Sequence, residues 1–207
     1  IVKLQRFSNE AFKHAKIMKR YADEFPDIIF NQKAEIEKIY DILENCSSVH
    51  IYGKGRSGAI AVCFALRLSH FEFKPVNFLG DVIKKVISSD DMVILFSGSG
   101  DTSEVVEVAK KAHKIGAKIV SVTSYNNTSL AKYSDVLLLL PGGMEKGKGW
   151  SYLKAQLNEH PTFYGGGEFE FYAYLLQETI LSAIGAHRDI EGGIIAKTHE
   201  RDETLKE

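Results

Sequence analysis

The chain has 207 residues, enough for one domain with a substantial buried core. A hydrophobic fraction of 44% and a charged fraction of 26% exclude a disordered or fibrous chain. The net charge of -1 points away from nucleic acid, and no apolar run reaches the roughly 18 residues that span a bilayer, so a soluble cytoplasmic protein with no nucleic-acid or membrane partner is expected.

Helical spacing opens the chain, with Phe12, Ala15, Ile17, Met18 and Tyr21 on one run that Pro26 then interrupts. A second helix is predicted over 32–43, with Ile36, Ile39, Tyr40 and Leu43 on one face. Short apolar runs then alternate with helical ones. Strands are predicted over 49–52, 75–79, 92–96, 118–123 and 136–140, with helices over 59–70, 103–115 and 129–133 between them. Near-continuous apolar strands joined through helices require a parallel sheet covered on both faces. The fold expected is therefore a three-layer α/β/α sandwich, doubly wound around about five parallel strands and preceded by N-terminal helices. As one domain it divides into N-terminal helices (1–46), a ligand-binding core (47–141), a glycine-rich loop or lid (142–167) with a short helix around 152–158, and a C-terminal helix with a charged tail (168–207).

In such a sheet, ligands bind beyond the carboxyl ends of the strands. The first strand runs into Gly53-Lys54-Gly55-Arg56-Ser57-Gly58, a turn whose glycines admit an anion close to the backbone at a helix start. The string also fits the dinucleotide fingerprint, with Asp81 at about the expected distance downstream. The third strand ends in Ser97-Gly98-Ser99-Gly100-Asp101-Thr102, a nest of hydroxyl and amide donors suited to phosphate oxygens. Ordinary helix-start chemistry competes for both turns: Asp101 with Glu104 reads as a capping box, and Ser57 as a cap. Two facing anion turns favour a compact phosphorylated metabolite over a dinucleotide. Cys46 and Cys63 lack partners at metal-ligand spacing and the seven histidines stand singly, so no metal is expected.

GKGRSG followed by SGSGDT resembles the sugar isomerase (SIS) domain family, whose second motif reads Ser-x-Ser-Gly-x-Thr. The run Phe64-Ala65-Leu66-Arg67-Leu68 is similar to that of the phosphohexuloisomerases within the family. After the second strand, their Glu-Thr and Thr-Pro pattern gives way to Gly80-Asp81-Val82-Ile83-Lys84-Lys85. The resemblance implies a sugar phosphate held by Gly55, Arg56, Ser57, Ser97, Gly98, Ser99, Gly100 and Thr102. It also implies a homo-tetramer or homodimer.

Isomerisation between neighbouring sugar carbons needs a base that takes a proton and returns it, and no cofactor. Gly166-Gly167-Glu168-Phe169-Glu170 resembles the family's Gly-Thr-x-Phe-Glu segment, which selects Glu170 as the base with Glu168 as its rival. His199 resembles a family histidine near the C-terminus that reaches a neighbouring subunit's site. Arg56 is expected to orient substrate oxygens or to pair with a carboxylate across a subunit contact, while Lys54 is expected in solvent and Lys146 and Lys148 over the phosphate. The activity implied interconverts a 3-hexulose 6-phosphate and fructose 6-phosphate. The alternatives are an isomerase of another sugar phosphate such as arabinose 5-phosphate or a heptose phosphate, a non-catalytic sugar-phosphate sensor, and an NAD(P)-dependent oxidoreductase.

Overall fold

Five parallel strands in the order β2-β1-β3-β4-β5 form the middle layer: β1 (Val49–Gly53), β2 (Val76–Phe78), β3 (Met92–Phe96), β4 (Lys118–Thr123) and β5 (Val136–Leu139). The structure is a computed structural model and describes residues 2–142 and 167–190 together with Gly193, with side chains from Phe7 onward. The central strand β3 is buried at all five positions, as a strand covered on both faces must be. The helices are α1 (Val2–Phe30), α2 (Lys33–Asn45), α3 (Gly55–Ser69), α4 (Ser103–Ile115) and α5 (Glu168–His187), with a 3-10 turn at Ala131–Tyr133.

One apolar core gathers residues of α1, α2, α3 and α5 against one face of the sheet, among them Ile39, Phe64, Phe96 and Tyr172. The other face is covered by α4, through Val105, Ala109 and Ala112 against Val93, Leu95 and Ile119. The crossover through α3 thus lies on one side of the sheet and that through α4 on the other, which makes the β1–β3 boundary the point where the winding reverses. Gly53 at the end of β1 stands in register with Phe96 at the end of β3, so the two turns that follow leave the sheet side by side.

Three sequence expectations change. The first helix does not stop before Pro26 but continues to Phe30. Proline removes one amide donor from a helix interior, and burial of Phe25 together with packing of Ile28 and Ile29 into the core outweighs that loss. Gly55 to Gly58 do not form a free turn ahead of a helix; they are the first turn of α3. The helix expected over 129–133 is a short 3-10 turn. The lid over 142–167, apart from its end residues Gly142 and Gly167, and the tail beyond residue 190, apart from Gly193, lie outside the described residues. Among the described residues, no helix is long and apolar enough to cross a membrane.

Two polar devices secure the sheet. At the edge, the Gln32 side chain pairs with β5 as a backbone would: its amide nitrogen donates to the Leu139 carbonyl at 2.9 Å and its oxygen accepts from the Leu139 amide at 2.6 Å. At the amino ends of β1 and β3, buried Asp91 accepts from the hydroxyl of Ser48 at 2.6 Å, from the amide and hydroxyl of Ser88 at 2.8 Å each, and from Lys85 at 3.3 Å, and it contacts His50 at 3.1 Å. Burial pushes the Asp91 carboxyl up, but these donors together outweigh it and hold the group well below its ordinary range. Ser48, His50 and Asp91 are no hydrolytic triad. Both contacts of His50 fall on the same ring nitrogen, its Nδ1 is unpartnered, and all three side chains are sealed from solvent at the end of the sheet remote from the glycine turns.

This cluster carries a pH dependence. Burial pushes the His50 imidazole below its ordinary value of 6.5, so below that pH the unfolded chain binds a proton that the folded chain refuses. Asp91 adds the same sign below about 3.8, where the unfolded carboxyl protonates first. Urea unfolding across pH is therefore expected to show stability falling as pH drops through 6.5, with His50→Asn removing that step. Asp91→Ala is expected to cost about 3 kcal/mol at neutral pH, by stranding several buried donors.

Candidate functional site

The site begins with a close approach that only glycine permits. A Cβ on Gly53 would lie 2.8 Å from the Ser57 carbonyl oxygen, and one on Gly58 would lie 2.9 Å from the Gly53 carbonyl oxygen. The strand end and the helix start are thus in backbone contact, and Gly55 makes the turn between them at φ +62°. Arg56 and Ser57 emerge on the first turn of α3 beside the start of α5. There the Ser57 hydroxyl donates to Glu170 Oε1 at 3.1 Å, and Arg56 Nε stands 3.6 Å from Glu170 Oε2. The Glu170 side chain is 18% exposed, shielded from bulk water yet open to a ligand.

Beyond β3 the hydroxyls converge. Ser97 Oγ donates to Thr102 Oγ1 at 3.2 Å, and Ser99 Oγ lies 3.5 Å from the same atom. The Gly100 amide donates to Ser97 Oγ at 3.2 Å and the Asp101 amide to Ser99 Oγ at 3.3 Å. Gly100 holds φ +69°, and a Cβ there would meet Thr128 Oγ1 at 2.5 Å. The segment after β4 straps the turn from behind: the Ser124 amide bonds the Gly98 carbonyl at 3.1 Å, the Leu130 amide the Gly100 carbonyl at 3.0 Å, and the Ser129 amide donates to Asp101 Oδ1 at 2.9 Å.

Helix-start chemistry does not account for these residues. Thr102 is the N-cap of α4 and Lys54 that of α3, and neither makes a side-chain capping bond; nor does Gly167, the N-cap of α5. Asp101 is turned to Ser129, so no capping box with Glu104 forms, and the Ser57 hydroxyl is given to Glu170. The N-cap side chains thus leave the first-turn amides of α3 and α4 uncapped, and in α4 the Glu104 carboxylate takes its own amide. The two turns also touch, since Lys54 Nζ lies 3.5 Å from Glu104 Oε1; Lys54 stands in solvent as expected while it makes this exposed ion pair.

The rival carboxylates separate. Glu168 Oε1 accepts from the Tyr21 hydroxyl at 3.2 Å and so faces α1, whereas Glu170 faces Arg56 and Ser57. A Cβ on Gly142, at φ +91°, would meet the Cβ of Glu168 at 2.3 Å, so the chain leaving β5 is pressed against the start of α5 and fixes it at the carboxyl edge of the sheet. The sequence reading missed the strap of Ser124, Thr128 and Ser129; its signal was the hydroxyl- and amide-rich string SYNNTS directly after a strand. His199, Lys146 and Lys148 lie outside the described residues. Among the described residues, no group of three or more His, Cys, Asp or Glu is placed to hold a metal ion.

Residues 42–158 match the SIS domain family, more than half of the chain. The protein belongs to the SIS domain family. A relative from Mycobacterium gastri named 3-hexulose-6-phosphate isomerase is 32% identical over 69% of this chain and 67% of its own length. One of the same name from Methanocaldococcus jannaschii is 30% identical over 81% of this chain and 83% of its own. A crystal structure of a Methanococcus jannaschii protein, from which the function of a 3-hexulose-6-phosphate isomerase was inferred, superposes with a TM-score of 0.66 at 27% identity. That superposition covers 96% of this chain and 98% of the other. The doubly wound five-stranded fold expected from the sequence is thus that of the family.

Gly100→Ala is expected to lower the thermal unfolding midpoint, by a destabilisation of about 2 kcal/mol, because the added methyl meets both a left-handed backbone and Thr128. Scanning calorimetry checks it, and Ser99→Ala, which leaves the backbone alone, is expected to stay near wild type.

Proposed function

We propose that the protein is a phosphosugar isomerase that interconverts a 3-hexulose 6-phosphate and fructose 6-phosphate. The observation that carries this reading is the position of Glu170: a shielded carboxylate on Arg56 and Ser57, at the carboxyl edge of the sheet where the winding reverses. Its relatives of the same name and the hydroxyl cluster of Ser97, Ser99 and Thr102 support it.

The phosphoryl group sits on the Ser97, Ser99 and Thr102 hydroxyls and the uncapped start of α4, with Gly98 and Gly100 allowing it close to the backbone. The sugar then runs toward α3 and α5. Glu170 takes the proton from C2 of the 3-ketose, the electron pair of that C–H bond forms the C2=C3 double bond, and charge gathers on O3 of the enediolate. Return of the proton to C3, with a proton passed from O2 to O3, gives the 2-ketose; carbon skeleton and electron count are unchanged. Arg56, half-exposed, holds the carboxylate in place and brings its guanidinium toward the developing oxyanion. Gly55 sets the turn that aims both Arg56 and Ser57. His199 is assigned the proton passage between O2 and O3 on family resemblance.

Glu170→Gln is expected to lower kcat by at least about 1000-fold while the dissociation constant for fructose 6-phosphate stays within several-fold. Solvent deuterium incorporation into fructose 6-phosphate, followed by NMR, is expected for the wild type and absent for the variant. Wild-type protein that binds the sugar phosphate without any exchange would mark a sensor. Thr102→Val, which removes the hydroxyl shared by both serines, is expected to raise KM about tenfold with a smaller effect on kcat.

A further inference from the structure

The start of α4 already holds an anion, and the chain itself supplies it. Glu104, in the first turn of α4, folds its carboxylate back on the helix start, where it takes its own backbone amide, accepts from the Ser103 hydroxyl at 3.1 Å and stands 3.5 Å from Lys54 Nζ. Its own amide, then the Ser103 hydroxyl and the Lys54 charge, hold the Glu104 carboxyl below its ordinary value, so it is ionised at neutral pH. An amide, a hydroxyl and a cation gathered on one carboxylate are the donor types that also recognise a phosphate oxygen.

Lys54 is fixed at its root and exposed at its tip. Its backbone is the N-cap of α3, and its carbonyl accepts from the Gly58 amide at 3.2 Å. Gly53 pairs in register with Phe96, so the next residues, Lys54 and Ser97, leave the sheet side by side, and the lysine crosses from the first turn to the second to meet Glu104. The side chains of the pair are 57% and 51% exposed, so the bond between them is weak and either partner can leave it. The rest of the cradle shows what the lysine is for. Ser97, Ser99 and Thr102 bring no charge to a dianion, and Arg56 is directed at Glu170 on the α5 side. Among the described residues, Lys54 is the cation that bridges the two turns.

We propose that Glu104 is an internal competitor for the phosphate seat and that Lys54 is a phosphate-binding residue, passed from Glu104 to the phosphoryl group when a sugar phosphate enters. The incoming dianion takes the Glu104 amide and the Lys54 ammonium together, and the carboxylate turns out into solvent. The exchange rests on the phosphate seat assigned above to the β3 turn, and it holds whether or not Glu170 then moves a proton. Its consequence is a threshold: every ligand of the seat binds more weakly by the share of molecules in which Glu104 occupies it.

Calorimetric titration of the full chain with inorganic phosphate and with fructose 6-phosphate tests it. Lys54→Met is expected to weaken both about tenfold, and Lys54→Arg, which keeps the charge, to stay within about threefold of wild type. Glu104→Gln is expected to tighten both about fivefold and by a common factor, because the same internal contact is displaced in each case. Glu107→Gln removes the same charge about one turn further along α4, where Glu107 pairs with Lys110, and is expected to leave both constants within about twofold. Lys54, Glu104 and Glu107 are all exposed, so the unfolding midpoint is expected to stay near wild type in each variant. A crystal structure with inorganic phosphate bound is expected to show Lys54 Nζ on a phosphate oxygen and the Glu104 carboxylate turned away. Unchanged affinity in Lys54→Met, unchanged or weaker affinity in Glu104→Gln, or Lys54 still on Glu104 beside a bound phosphate would each overturn the proposal. So would a gain in Glu107→Gln as large as that in Glu104→Gln, since it would mark a diffuse charge effect. Wild type that binds neither ligand would overturn the phosphate seat and the exchange together, whereas wild type that binds both while the variants do not move would overturn the exchange alone.

Discussion

The backbone contact between Gly53 and Gly58 is the constraint on which the site depends. Because neither residue carries a side chain, α3 starts directly on the end of β1 rather than a loop's length away. That brings Arg56 and Ser57 to the first turn of α3, within reach of Glu170 on a helix more than a hundred residues later. The register of Gly53 with Phe96 then sets the hydroxyl turn of β3 next to it. A side chain at Gly53 or Gly58 would push α3 outward and separate the two halves of the site.

The β3 turn is made differently. Its hydroxyls are held to each other and to backbone amides, and its carbonyls are tied down by the segment after β4. Under the proposed function, a phosphate dianion would meet there a set of groups whose ordering was completed as the chain folded, so less freedom would be lost on binding. The hydroxyl nest is neutral, whereas Arg56 and Glu170 bring opposite charges together at the start of α3 and α5.

Much of this was legible in the residues themselves. The bounds of β3, α4 and β4 follow from apolar runs with sharp polar ends, and the structure reproduces them at Met92–Phe96, Ser103–Ile115 and Lys118–Thr123. Where tertiary contact overrides local preference, the reading failed. Pro26 ends a helix by local rules, yet the core contacts of Phe25, Ile28 and Ile29 carry α1 through it. Asp101 and Glu104 satisfy a capping pattern, yet the Ser129 amide claims the aspartate. The different surroundings of Glu168 and Glu170 could not be read from spacing, because they rest on Tyr21 and Ser57, partners far away in the chain.

The hold of Gln32 on Leu139 bears on how the protein behaves among its own copies. An edge strand presents unpaired amides and carbonyls that can recruit a foreign strand, the first step toward fibrous assembly. At β5 that position is taken by a side-chain amide imitating a neighbouring strand, and the opposite edge, β2, spans only Val76–Phe78. Sheet growth is thereby opposed at one border by mimicry and at the other by brevity.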